Sequence, residues 1–195
     1  MSRQGDSRAR LVAAANDLLS RQGYAATVVK DIATVASAPM GSFYYHFPGG
    51  KEQLGAEAVR YGTREIGEVF ARAMAPHDDA GDAVAACPLA LAERLERAGW
   101  ADGCPVASTA LETVGRSDAL QAAAGDAFTA WCDVIAEHLR RCGLAPEAAD
   151  DLAHTTVALI EGAEMIARVR GSREPLDRAA ATLRTLANGA IGANG

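Results

Sequence analysis

The sequence predicts an all-α protein: a small three-helix head followed by a larger helical body. Three observations carry this. Of the 195 residues 49% are hydrophobic, and much of that share is alanine. Proline is scarce, at 7 residues. Long segments carry apolar residues at the i, i+3, i+4, i+7 spacing of a helix, without the alternating β-branched runs of a half-buried strand. A chain of this length can bury a sizeable core in one domain, or in a small domain attached to a larger one.

The first helix is expected over 7–23, where Leu11, Ala15, Leu18 and Leu19 share a face, Ser7 can cap the start and Gly23 can stop it. A short second helix, near 28–36, places Val29, Ile32, Ala33 and Ala36 on one side. Pro39 suits the first turn of a third helix, in which Met40, Phe43, Tyr44 and Phe47 align and which ends before Pro48-Gly49-Gly50. From Lys51 a longer helix runs through Leu54, Ala58 and Tyr61 to about Met74. Beyond it, breaks at 75–81, 99–105, 115–117, 143–146 and 171–175 imply helices near 82–98, 106–114, 118–142, 147–170 and 176–188.

Two short amphipathic helices joined by a tight turn and braced by a longer first helix match a helix-turn-helix unit. A helix as short as the third is not stable alone, so Phe43 and Phe47 are expected to anchor it in a small core. Tyr44, Tyr45 and His46 then keep their polar tips outward, and Gly49 and Gly50 allow the sharp change of direction into the fourth helix.

Charge supports the same division. The net charge is −6, yet residues 1–60 hold seven basic side chains, Arg3, Arg8, Arg10, Arg21, Lys30, Lys51 and Arg60, against five acids. A mildly basic head on an acidic body is the asymmetry of a protein whose head alone meets a polyanion. No apolar run reaches the roughly 18 residues of a membrane span and the N-terminus lacks an apolar signal core, so a cytoplasmic protein is expected. Cys87, Cys104, Cys132 and Cys142 are irregularly spaced with no C-x-x-C pair, which reads as reduced, mostly buried thiols rather than a metal site. No cofactor is expected.

Rival chemistries find little support. A phosphate-binding loop ending in Gly50-Lys51 would need glycine at 45 and Ser or Thr at 52, where the chain has Tyr45 and Glu52. Cys104 with a distant histidine, or Glu161 with Glu164, could in principle serve a helical enzyme, but no nucleophile elbow, metal-ligand helix motif or dinucleotide fingerprint accompanies them. A helical adaptor would leave the Tyr44-Tyr45-His46 cluster without a purpose.

The residues in hand resemble the TetR family of one-component bacterial repressors. The resemblance is carried by Arg8, Ala14-Ala15, Leu18 and Gly23-Tyr24 in the first helix, by Asp31-Ile32-Ala33 in the second, and by the run from Gly41 to Phe47 in the third. The stretches FPGGKEQL, DGCPVASTALE and EGAEMIARVRGSREPL are similar to the LmrA/YxaF-like branch, whose members typically repress multidrug efflux genes. Two positions depart from the pattern: Val28 stands where the family has the Ser or Thr that caps the second helix, shifting that cap and its phosphate contact to Thr27 or removing it, and Met40 stands where many members carry Lys.

The resemblance implies a DNA-binding domain over 1–50 and a ligand-binding and dimerisation domain over 51–195, with helix 51–74 connecting them. It implies a dimeric repressor of a palindromic operator in double-stranded DNA, released by a small apolar or aromatic inducer. On the DNA side, Pro39, Met40, Gly41 and Ser42 lie nearest the bases, with Met40 able to pack on a thymine methyl. Tyr44 lies near bases or backbone, Tyr45 and His46 near backbone, and Thr27, Lys30 and Lys51 near phosphates. Trp100, Cys104, Phe128 and Trp131 are candidate pocket residues, equally readable as ordinary core. For the dimer interface, Leu152, Thr156, Leu159, Ala163 and Ile166 form one stripe and Leu176, Leu183 and Leu186 another, with packing inside the chain's own core the alternative at each position.

Overall fold

The computed structural model describes residues 3–192, with side chains described over 7–190. Among the described residues there are nine helices and no strand: α1 (Arg3–Ala26), α2 (Val29–Val35), α3 (Met40–His46), α4 (Gly50–Met74), α5 (Ala80–Arg97), α6 (Pro105–Thr113), α7 (Asp118–Arg141), α8 (Pro146–Arg170) and α9 (Glu174–Gly192). Every helix expected from the sequence is present, with most ends within a residue or two of the expected ones. Two differ more. Helix α1 begins at Arg3, so Ser7 lies inside it and not at its start, and α9 extends from Glu174 to Gly192. Gly23 leaves helical geometry at φ 77, ψ 179, breaking α1 one turn before its end. No described helix is long and apolar enough to cross a membrane.

The chain forms two compact units, Met1–Arg64 with Cys104–Ala127, and Glu65–Gly103 with Phe128–Gly195. In the first, α1 packs against α2, α3 and α6. Its buried side chains include Leu11, Leu19, Ile32, Phe43, Phe47, Leu54, Val106 and Leu120. Burial on this scale, at about 1.5–3 kcal/mol per large apolar side chain, offsets the ordering cost that helices as short as α2 and α3 cannot meet alone. Glu112 of α6 accepts a hydrogen bond from the Ala25 backbone N–H at 2.5 Å, joining α6 to the end of α1 just past the Gly23 break.

In the second unit α9 packs on α5 and α8 around Ala92, Leu95, Ala163, Ala167, Leu176 and Ala179, with Trp100 and Leu159 against the cluster. The small residues let the helices approach closely. Helix α5 ends in a Schellman turn, with Gly99 N–H bonded to Glu96 O and Trp100 N–H to Leu95 O at 2.9 Å. Trp100 is thereby held at φ 64, unusual for a bulky residue, and its packing on the cluster stabilises a backbone that would otherwise relax. The following loop is fixed by Arg168, which donates to Ala101 O at 2.9 Å and lies so close to Gly103 that a Cβ there would fall 2.0 Å from Nη1. A side chain at position 103 would therefore displace the Arg168 guanidinium that braces this loop.

Candidate nucleic-acid interface

The α2–α3 turn is built from backbone bonds alone. Ala38 N–H bonds to Ala33 O at 2.9 Å and Ser37 N–H to Thr34 O at 3.0 Å, the paired bonds of a Schellman motif, and Ser37 takes the left-handed position at φ 49 that glycine usually fills. Ser37→Gly is expected to stabilise the first unit by about 0.5 kcal/mol, since relief of left-handed strain outweighs the extra chain entropy of glycine. Chemical denaturation would read the gain, and a loss of stability would contradict the turn geometry.

Helix α3 turns Phe43 inward, and its ring stacks with that of Phe47 at a centroid distance of 5.9 Å; the two residues are exposed by 2% and 0%. The opposite side carries Tyr44 and Tyr45, exposed by 66% and 69%, with Met40 at 37% and Gly41 beside them. Pro39, also exposed, occupies the N-cap and not the first turn. The other polar residues of α3 are tied to α1. Ser42 donates to the Ser7 hydroxyl at 3.0 Å, and Ser7 Oγ lies 3.1 Å from His46 Nε2. Beside Ser7, Arg8 stacks over Phe47 at 5.5 Å and pairs with Glu57 of α4 at 2.5 Å. A short network thus fixes the tilt of α3 against both α1 and α4. Sequence reading missed it because a serine within an amphipathic run carries no signal of its distant partner.

The expected phosphate contacts fare unevenly. Thr27 is 1% exposed and donates its hydroxyl to Gly23 O at 2.7 Å, so the transferred cap does not exist in this form. Val28 caps α2 without a side-chain bond. Lys30 is exposed on α2. Lys51, at the start of α4, holds its ammonium 4.2 Å from the centre of the Tyr24 ring. Burial lowers its pKa, with the Glu112 charge opposing, while burial and the Glu52 charge push the Tyr24 phenol up. The stacked lysine thus lies beside the N-terminus of α4, where its charge is held against the Tyr24 ring.

The four candidate pocket residues do not form one group. Trp131, exposed by 1%, meets Phe70 and Phe128 edge to face at 6.2 and 5.7 Å. Trp100 belongs instead to the α5–α8–α9 cluster. The Cys104 thiol caps α6, accepting from Ala107 N–H at 3.3 Å. Of the expected interface residues, Leu152, Thr156, Ala163, Leu176 and Leu183 are buried within the chain itself, at 0 to 6% exposure. This corrects the expectation: those five side chains already pack intramolecularly, and no face of them is left for a partner. Leu159 is half-buried, while Ile166 and Leu186 are exposed, alongside Met165 and Val169, which the sequence reading did not include.

Comparison with known proteins agrees with this architecture. Residues 11–58 match the family described as bacterial regulatory proteins, tetR family. Residues 80–182 match the C-terminal domain of LmrA/YxaF-like transcriptional regulators. The chain is 34% identical over 178 residues to the HTH-type transcriptional regulator LmrA of Bacillus subtilis, covering 88% of this chain and 92% of the relative. It is 33% identical to the uncharacterized regulator YxaF of the same organism, over 90% of this chain and 92% of that protein. Among solved structures, a TetR transcriptional regulator from Chloroflexus aurantiacus superposes with a TM-score of 0.78 at 30% identity, covering 95% and 96% of the two chains. A TetR regulatory protein from Rhodobacter sphaeroides superposes at 0.81 with 24% identity, covering 92% and 98%. These relatives are transcriptional regulators and not enzymes. The chain belongs to the TetR family of bacterial transcriptional regulators, in its LmrA/YxaF-like branch.

Proposed function

We propose that the protein is a cytoplasmic, dimeric repressor that binds a palindromic operator through α3 and is released by a small apolar or aromatic inducer, with a multidrug efflux gene as the regulated target. The observation that carries the reading is the pairing, on one short helix and its C-cap residue, of the buried Phe43 and Phe47 with two tyrosines exposed by 66% and 69%. A seven-residue helix held this firmly while presenting large rings to solvent is suited to insertion into the major groove. Residues 1–50 supply this surface, and 51–195 supply the inducer site and the dimer contacts. The pairing of two heads lets an inducer act by changing their spacing.

The test is a gel-shift titration against the DNA upstream of the protein's own gene, at two salt concentrations and with unrelated competitor. Tyr44→Ala is expected to weaken specific binding by about 1–3 kcal/mol, and Lys51→Ala to weaken it on all sequences and to lower the salt dependence by about one phosphate. Both variants should remain dimers. Unchanged affinity in both would remove this surface from the proposal.

A further inference from the structure

We propose that the half-site is read through thymine methyl groups, packed against the Met40 thioether and the Tyr44 ring, with no guanine-reading contact from the recognition helix. The inference rests on α3 being the element that enters the major groove. Helix α3 reads MGSFYYH and contains no arginine, lysine, asparagine, glutamine, aspartate or glutamate. The bidentate contacts to guanine O6 and N7 need a guanidinium or ammonium, those to adenine N6 and N7 need an amide, and a cytosine amino group is read by a carboxylate. None of these groups is present on the helix.

Of its other polar side chains, Ser42 and His46 are tied to α1, and the exposed Tyr44 and Tyr45 each end in a single hydroxyl, which cannot make a bidentate contact. The Ser42 hydroxyl hydrogen is directed to Ser7 at 3.0 Å, and His46 Nε2 lies 3.1 Å from that same Ser7 oxygen. What faces outward is one strip at i, i+1, i+4 and i+5: Met40, Gly41, Tyr44 and Tyr45. Gly41 has no atom within 4 Å of where its Cβ would be, so nothing on the protein blocks close approach of a base edge there. Among base edges in the major groove, the C5 methyl of thymine is the apolar group that a thioether and an aromatic ring can recognise. Lys30 and Lys51 lie on other helices and serve the phosphates.

The experiment uses the full-length protein and a duplex selected from a randomised pool. Each thymine is then replaced singly by deoxyuridine, which removes only the methyl, and each guanine by 7-deazaguanine, which removes the N7 acceptor. One or two deoxyuridine positions per half-site are expected to weaken binding roughly tenfold each. That sensitivity should be lost in Met40→Ala or Tyr44→Ala, and kept in Tyr44→Phe, which lacks only the hydroxyl. Deazaguanine substitution should leave affinity unchanged. A deoxyuridine duplex that binds like the thymine one overturns the inference alone, as does loss of binding with deazaguanine or methyl sensitivity that persists in both alanine variants. Failure to enrich any duplex overturns the DNA-binding reading together with it.

Discussion

Gly23→Ala is expected to destabilise the protein by about 3 kcal/mol and to lower its melting temperature by roughly 10 °C. Two effects combine. At φ 77, ψ 179 the residue sits in a region that essentially only glycine occupies, at a cost of about 1–3 kcal/mol for a side-chain-bearing residue. A Cβ would also fall 2.0 Å from Glu112 Oε1, and although a glutamate tip can swing away, doing so gives up its bond to Ala25 N–H. A hydrogen bond to an ionised acceptor contributes about 1.5–3 kcal/mol when well shielded, and the half-buried Glu112 belongs at the lower end. Glu112→Ala isolates this second part, and in the double variant the two costs should fall short of additivity because the bond can be lost only once. Gly23→Asn is a sharper check. Asparagine tolerates the left-handed helical region, but not ψ near 180°, so it should be as damaging as alanine. Thermal melts and denaturant titrations of the four variants decide it, and an alanine variant as stable as the parent would refute the account.

The same glycine shows how far the sequence was legible. Gly23 was readable as a helix stop because helical periodicity ended there; the first four helices followed from that periodicity and the other five from the breaks between them. Its true conformation was not readable, since that depends on Glu112, 89 positions away. Phe43 and Phe47 were readable as anchors because a short helix with two aligned rings must bury them, and Tyr44 and Tyr45 as outward-facing by exclusion. Of the two alternatives at Thr27, loss of the cap is the one observed, for a local reason. A threonine before a helix can cap it, but this one bonds backward to the Gly23 carbonyl that the break in α1 exposes. The anchoring of Ser42 and His46 on Ser7 was invisible for the opposite reason, because it joins residues 35 and 39 positions apart. In the body, helical spacing identified apolar faces without saying which of two faces each was. Helix α8 is amphipathic in one sense and apolar in patches on both sides, so a stripe chosen by spacing alone fell on its inner face.

The corrected outer face yields the other large expectation. On α8 the exposed or half-exposed positions Thr155, Ala158, Gly162, Met165 and Val169 recur at spacings of three and four, the narrow seam along which two helices pack. Met165 and Val169 are exposed by 61% and 84%, with Ile166 at 41% beside them and Leu186 at 45% on the adjoining α9. Small Ala158 and Gly162 let a second helix approach. Introducing Met165→Glu with Val169→Glu would place carboxylates where a two-fold mate brings the same residues close, and an unpaired buried charge is strongly disfavoured. The variant is expected to sediment as a monomer with unchanged helicity. Each head would then bind its half-site independently, weakening operator binding by a factor of roughly 10² to 10⁴ through loss of effective concentration. Leu183→Ala provides the contrast. Leu183 is fully buried in the chain, so its truncation should cost about 2–5 kcal/mol of folding stability while the folded protein stays dimeric. Sedimentation equilibrium distinguishes the two, and a dimeric Met165→Glu, Val169→Glu protein would move the interface off this face.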